Sequence, residues 1–170
     1  KKAGVPKQLK FKTKPLIALE QIRWACESGL PRGVALMDAA YGRDARLRAG
    51  MTELDVPYAV GIVPTILMWA PGSGPRRMDK PMNNTGRRDE PELVSAKKVA
   101  LGLPKQAWRT VTWREGSADQ LSSRFARVRV RVGYNKLIPE KLSPEWLLIE
   151  WPEGEAEPTK YWLSTLPENV

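Results

Sequence analysis

Histidine is absent from the 170-residue sequence, and that absence removes a large part of enzyme chemistry. Without imidazole there is no Ser-His-Asp or Cys-His activation of a nucleophile and no His-ligated metal site. A single cysteine, Cys26, excludes an internal disulfide and suits a reducing compartment. No apolar run approaches the roughly 18 to 20 residues that a membrane helix needs. The first residues carry no secretory leader pattern, so the expected location is the cytoplasm. Any bound metal must then be held by carboxylates, which means a hard ion such as Mg2+ or Mn2+.

Hydrophobic residues make up 42% of the chain and charged residues 28%, a globular rather than a disordered composition. The length suits one domain, or one and part of a second, with enough chain to bury a core. Lys and Arg outnumber Asp and Glu by 28 to 19, a net charge of +9. Such a surplus favours a polyanion partner, nucleic acid being the commonest. The plain alternative is a basic soluble protein with no such partner.

Periodicity divides the chain in two. Residues 15–28 predict an amphipathic helix with Leu16, Leu19, Ile22 and Cys26 on one face, opened by Pro15 and closed by Gly29. Val34 to Met37 predicts a short buried strand, Asp44 to Leu54 a helix weakened by Gly50, and Tyr58 to Val63 a strand stopped by Pro64. Helix, strand, helix, strand with short connections is an α/β pattern over residues 1–70. Residues 71–107 read as an exposed loop or linker, rich in Gly, Pro, Asn and charge, with a short helix near Ser95 to Leu103. Residues 108–170 are β-rich, with strands expected at Arg109 to Arg114, Phe125 to Val132, Trp146 to Trp151 and Tyr161 to Ser164.

Three features bear on chemistry. In RFARVRVRVGY, residues 124–134, Val128, Val130 and Val132 alternate with Arg127, Arg129 and Arg131. The guanidinium groups share one strand face at about 7 Å intervals and suit a phosphate backbone. Alternatively, they pair with Glu150 and Glu153 on a neighbouring strand. In WRTVTWREGS, residues 108–117, Trp108 precedes Arg109 and Trp113 precedes Arg114. Aromatic plus Arg stacks on unpaired bases and contacts phosphates, although a Trp in a strand also serves as core. Finally, Asp38 follows the apolar run of GVALMDAAYG, residues 33–42. It reads either as a turn or helix cap, or as a metal-binding carboxylate at the carboxyl end of a strand. One Asp does not make a two-metal site, and Asp44 and Asp55 fall in the next helical stretch.

The ordered set VALMDAAYG (34–42), TWREGS (112–117) and EWLLIEWPEGEAEPTKYWLSTLP (145–167) resembles the middle of bacterial insertion-sequence transposases of the Asp-Asp-Glu class. The resemblance implies a partial ribonuclease H-like α/β core followed by a β-rich insertion. It also implies cutting and rejoining of DNA at insertion-sequence ends with Mg2+ or Mn2+. Asp38 matches the second catalytic acid and would ligate a metal. Arg109, Arg114, Arg127, Arg129 and Arg131 would contact phosphates, while Trp113 would stack on an extruded base. DNA is the implied partner, with a homodimer in the intact enzyme and a nucleoid-associated location in a bacterium.

The departures are specific. The resemblance places the first catalytic Asp before this chain and the Glu-bearing helix after it, as an expectation. Glu168 precedes any expected helix, and Ala40 stands where relatives carry Gly. The chain is therefore expected to be inactive alone. A non-catalytic nucleic-acid-binding protein and an inactive transposase remnant are the alternatives.

Overall fold

The computed structural model describes residues 10–73, 92–114, 120–133 and 143–168. The fold is mixed α/β. A first helix, α1 (Lys14–Glu27), leads into strand β1 (Ala35–Met37), a single helical turn α2 (Ala39–Gly42), helix α3 (Ala45–Glu53) and strand β2 (Tyr58–Ile62). Strands β3 (Leu67–Trp69) and β4 (Leu93–Ser95) follow, then helix α4 (Ala96–Leu101). The remainder is β5 (Trp108–Arg114), β6 (Gln120–Val132), β7 (Glu145–Trp151) and β8 (Lys160–Ser164).

One eight-stranded sheet carries all of these strands, in the order β1-β2-β8-β7-β6-β3-β4, with β5 also paired to β6. β1 and β2 are parallel, Ala35 opposite Tyr58 and Met37 opposite Val60, as the intervening helices require. The other pairings are antiparallel. β6 is long enough to serve several partners. Its first half pairs with β5, Trp108 opposite Ala126, and its far end with β3, Met68 opposite Val132.

Strand alternation gives the sheet two unlike faces. Tyr58, Val60 and Ile62 of β2, Leu147 and Ile149 of β7, and Val130 and Val132 of β6 point to one side, where they are buried. Leu47 and Met51 of α3 and Ala96, Val99 and Ala100 of α4 complete that core. Each large apolar side chain fully buried there contributes about 1.5–3 kcal/mol. The other face carries Leu36, Ala59, Leu148, Trp162, Phe125, Arg127 and Arg129, and α1, α3 and α4, which pack on the core, leave it uncovered.

This asymmetry corrects the expectation of a buried β1. β1 is an edge strand, and its central Leu36 is 76% exposed because it projects to the uncovered face. A second correction concerns α1. Leu19, Ile22 and Cys26 pack on the core, whereas Leu16 is 37% exposed. Gly50 explains where that contact centres: a Cβ there would meet Leu19 Cδ2 at 2.5 Å, so its absence lets α1 lie close against α3.

The helix at Asp44 to Leu54 forms as α3, capped by Asp44 Oδ1, which accepts from Arg46 N at 2.9 Å and Leu47 N at 3.0 Å. Ser95 caps α4 in the same way, its Oγ accepting from Lys98 N at 3.1 Å. Most of the expected loop at 71–92 lies outside the described residues.

Candidate nucleic-acid interface beside an acidic helix cap

Asp38 follows directly on β1 and caps the turn α2. Its Oδ1 accepts from Ala40 N at 2.9 Å and more weakly from Tyr41 N at 3.4 Å. The residue is exposed, and among the described residues Oδ2 takes no hydrogen bond. Capping thus uses one carboxylate oxygen and leaves the other for a ligand.

Two glycines set where that carboxylate stands. After Met37, α2 occupies the place beside β2 that β1 has left. A Cβ on Gly61 would lie 2.9 Å from Ala39 N and 3.2 Å from Asp38 C. A Cβ on Gly42 would lie 2.0 Å from Gly61 O. Both obstacles are backbone, so the close approach depends on glycine at both positions.

A buried polar network holds the same turn from below. Arg48 of α3 is 1% exposed and donates through Nη1 to the Gly42 carbonyl. Its Nε lies 4.0 Å from Glu145 Oε2, and Tyr58 Oη donates to the same oxygen at 2.9 Å. Burial pushes the Glu145 carboxyl above the ordinary glutamate range, a rise that Arg48, the Tyr58 hydrogen bond and Arg129 only partly offset.

The uncovered face of the sheet holds a cavity of about 870 Å3 in front of Asp38. Its floor is apolar, formed by Leu36, Ala59, Phe125, Leu148 and Trp162. Its rim carries Asp38, Arg109 and Arg127. The register explains the convergence: Arg127 stands opposite Leu148, Leu148 opposite Trp162, and Arg109 opposite Phe125. Three of the residues singled out in the sequence therefore meet at one concavity.

The others lie around it. Arg129 is exposed one step along the same strand face, its guanidinium carbon 4.8 Å from the ring centre of Trp146. Arg131 is half-buried at the far end of β6, opposite Trp69 of β3. Trp113, 36% exposed, packs edge-on against Phe125 with ring centres 5.7 Å apart. It is thus packed and accessible at once. The side chain of Arg114 lies outside the described residues.

For Arg127 and Arg129, the expected pairing with Glu150 is not made. Glu150 is buried and pairs with Lys160 at 3.1 Å, while Arg127 and Arg129 stack on Trp146. Sequence reasoning missed Trp146, the two glycines and the Arg48–Glu145–Tyr58 network. The only sequence signal for Trp146 was its place in an alternating strand, and the cross-strand register that brings it to two arginines is not legible there.

Among the described residues no three His, Cys, Asp or Glu side chains cluster as a metal site. Asp38 nonetheless fits a hard ion: its free oxygen is of the right kind, and magnesium commonly rests on one or two carboxylates with water and substrate phosphate completing the shell. Among the described residues no helix is long and apolar enough to cross a membrane.

A family model described as DDE superfamily endonuclease matches residues 1–120. The chain belongs to that family. No curated protein and no solved structure matches it. Membership supports a nuclease or transposase type of function and implies a DNA substrate, and members of the superfamily generally use divalent metals. Within this DDE endonuclease chain the matched span includes Asp38, Arg109, Trp113 and Arg114, and it ends before Arg127, Arg129 and Arg131.

Proposed function

We propose that the chain is part of an insertion-sequence transposase that cuts and rejoins DNA by metal-dependent phosphoryl transfer. Residues 1–70 belong to its ribonuclease H-like core, β4 and α4 continue the same sheet and core, and residues 108–170 form an inserted β-rich part that returns to the core through β8. The observation that carries this reading is the cavity where Asp38 shares a rim with Arg109 and Arg127.

Asp38 is the metal-ligating acid, using the oxygen that capping leaves free. A bound Mg2+ or Mn2+ supplies Lewis-acid polarisation of a phosphoryl oxygen. Arg109 and Arg127 hold the scissile strand across the cavity mouth, and Arg114, Arg129 and Arg131 extend phosphate contacts away from it. In the reaction an oxygen of water or of a 3′-hydroxyl bonds to phosphorus and passes its proton to solvent. The bond to the leaving oxygen breaks, and that oxygen takes a proton from solvent to leave as a hydroxyl. Trp113, half-packed on Phe125, stacks on an unpaired base at the cavity edge.

Paramagnetic broadening tests the assignment of Asp38. With a DNA oligonucleotide present, Mn2+ is expected to broaden the methyl NMR signals of Leu36 and Ala59 in the wild type and to spare them in Asp38→Asn. Equal broadening in both proteins removes Asp38 as a ligand.

A second reading, a non-catalytic DNA-binding protein, is favoured by the acids: among the described residues no group of three His, Cys, Asp or Glu side chains forms around Asp38. Under it, Asp38→Asn leaves both Mn2+ response and DNA affinity unchanged.

A further inference from the structure

On the uncovered face, beside the cavity, the indole of Trp146 has two guanidinium groups against it. The Cζ atoms of Arg127 and Arg129 lie 4.9 Å and 4.8 Å from its ring centre. The register produces the arrangement, since Trp146 is directly opposite Arg129 and diagonal to Arg127. Both arginines are exposed while Trp146 is half-buried.

Stacking occupies the face of a guanidinium and leaves its in-plane N–H edge for an anion. It also fixes a long side chain before the partner arrives, so less freedom is lost on binding. Residues two apart on a strand stand about 7 Å from one another, roughly the separation of neighbouring phosphates on one strand. Among the described residues, the hydrogen bond of Arg127 is a marginal one to the Glu168 carbonyl, at 3.5 Å. Arg129 acts on the buried Glu145 carboxyl from a distance without reaching it as an ion pair.

The opposite face of the sheet offers a contrast. Arg124 stacks on Trp151 at 5.0 Å, but its Nε donates to the Trp151 carbonyl at 3.3 Å, and Trp108 closes on the same indole at 5.3 Å. There the edge is already used and the stack belongs to the packing.

We propose that Trp146 is a positioning residue that braces Arg127 and Arg129 as a clamp for two successive phosphates of one DNA strand, next to the Asp38 cavity. This rests on the DNA-binding reading above. It adds that stacked geometry, and not charge alone, makes these two arginines effective.

Fluorescence anisotropy of the full chain with a short labelled DNA duplex, and with its single strand, at several salt concentrations tests it. Trp146→Leu and the double variant Arg127→Lys/Arg129→Lys are each expected to weaken binding about tenfold. Trp146→Phe retains most of the affinity, and Arg124→Lys leaves it unchanged. Arg127→Ala/Arg129→Ala lowers the slope of log affinity against log salt by about two. The lysine pair keeps the charge and sits on an exposed face, so it decides the matter even if Trp146→Leu fails to fold. A lysine pair that binds like the wild type overturns the clamp while leaving DNA binding intact. A wild-type chain with no salt-sensitive binding to either DNA overturns the DNA reading, and the clamp falls with it.

Discussion

The phenol of Tyr58 donates to the carboxylate of Glu145 at 2.9 Å, joining two residues 87 positions apart in the chain. Tyr58 opens β2 and Glu145 opens β7, with β8 between them in the sheet. Arg48 reaches the same carboxylate from the helix layer and also holds the Gly42 carbonyl. One buried group thus links the Asp38 turn to the strand whose next residue, Trp146, carries the two arginines.

That linkage makes stability depend on pH in a defined direction. Burial raises the folded-state pKa of Glu145 above its unfolded value, so the folded chain keeps a proton that the unfolded chain has released. Its contribution is complete below the ordinary glutamate range and is lost as pH rises through the raised pKa. Thermal melting across that window, for wild type and Glu145→Gln, should show the wild type losing ground to the variant with rising pH. A difference that stays constant with pH refutes this.

The sequence already carried the elements with a clear period: α1, α3, α4 and the strands from β5 to β8 lie within a few residues of where pattern places them. Of the elements of three or four residues, β1 was placed by its apolar run, whereas α2, β3 and β4 leave too little periodicity to detect. For the candidate site, residue type and alternation were enough to single out Asp38, Arg109 and Arg127. Their meeting at one cavity was not legible, because it depends on β8 and β7 being inserted between β2 and β6. Both readings of Asp38 also turned out to be compatible, since a carboxylate has two oxygens and the cap uses one.

Glycine substitutions should separate a backbone obstacle from a yielding one. A Cβ on Gly42 would meet the Gly61 carbonyl at 2.0 Å, whereas at Gly50 it meets only the movable end of Leu19. Gly42→Ala is expected to cost at least about 1–3 kcal/mol. Gly50→Ala should come out near neutral, because gaining a good helix former offsets about 1 kcal/mol of crowding. Chemical denaturation of the two variants measures the difference, and equal losses would contradict the geometry.

Arg109 lines the same cavity as Asp38, on a different strand from the arginine ribbon. If it contacts a phosphate, Arg109→Gln should weaken DNA binding and reduce the salt slope by about one. Its effect should add to that of the Arg127 and Arg129 substitutions if each arginine holds its own phosphate. Titrations of single and combined variants at several salt concentrations check both statements, and an unchanged slope rules Arg109 out as a phosphate contact.

Asp38 has two tasks that substitution can pull apart. Asn is about as good an N-cap as Asp, so Asp38→Asn should keep the α2 turn and melt within about 1 °C of the wild type. Asp38→Ala also loses the acceptor for Ala40 N, at a cost of about 1 kcal/mol, or roughly 2–4 °C in a chain of this size. Metal response should follow a different order. Both variants lose the carboxylate charge, so both should lose Mn2+-dependent broadening near Leu36, whatever their stability. Melting curves and Mn2+ titrations on the same three proteins distinguish the roles: a stable Asp38→Asn that still answers to Mn2+ leaves Asp38 as a cap alone.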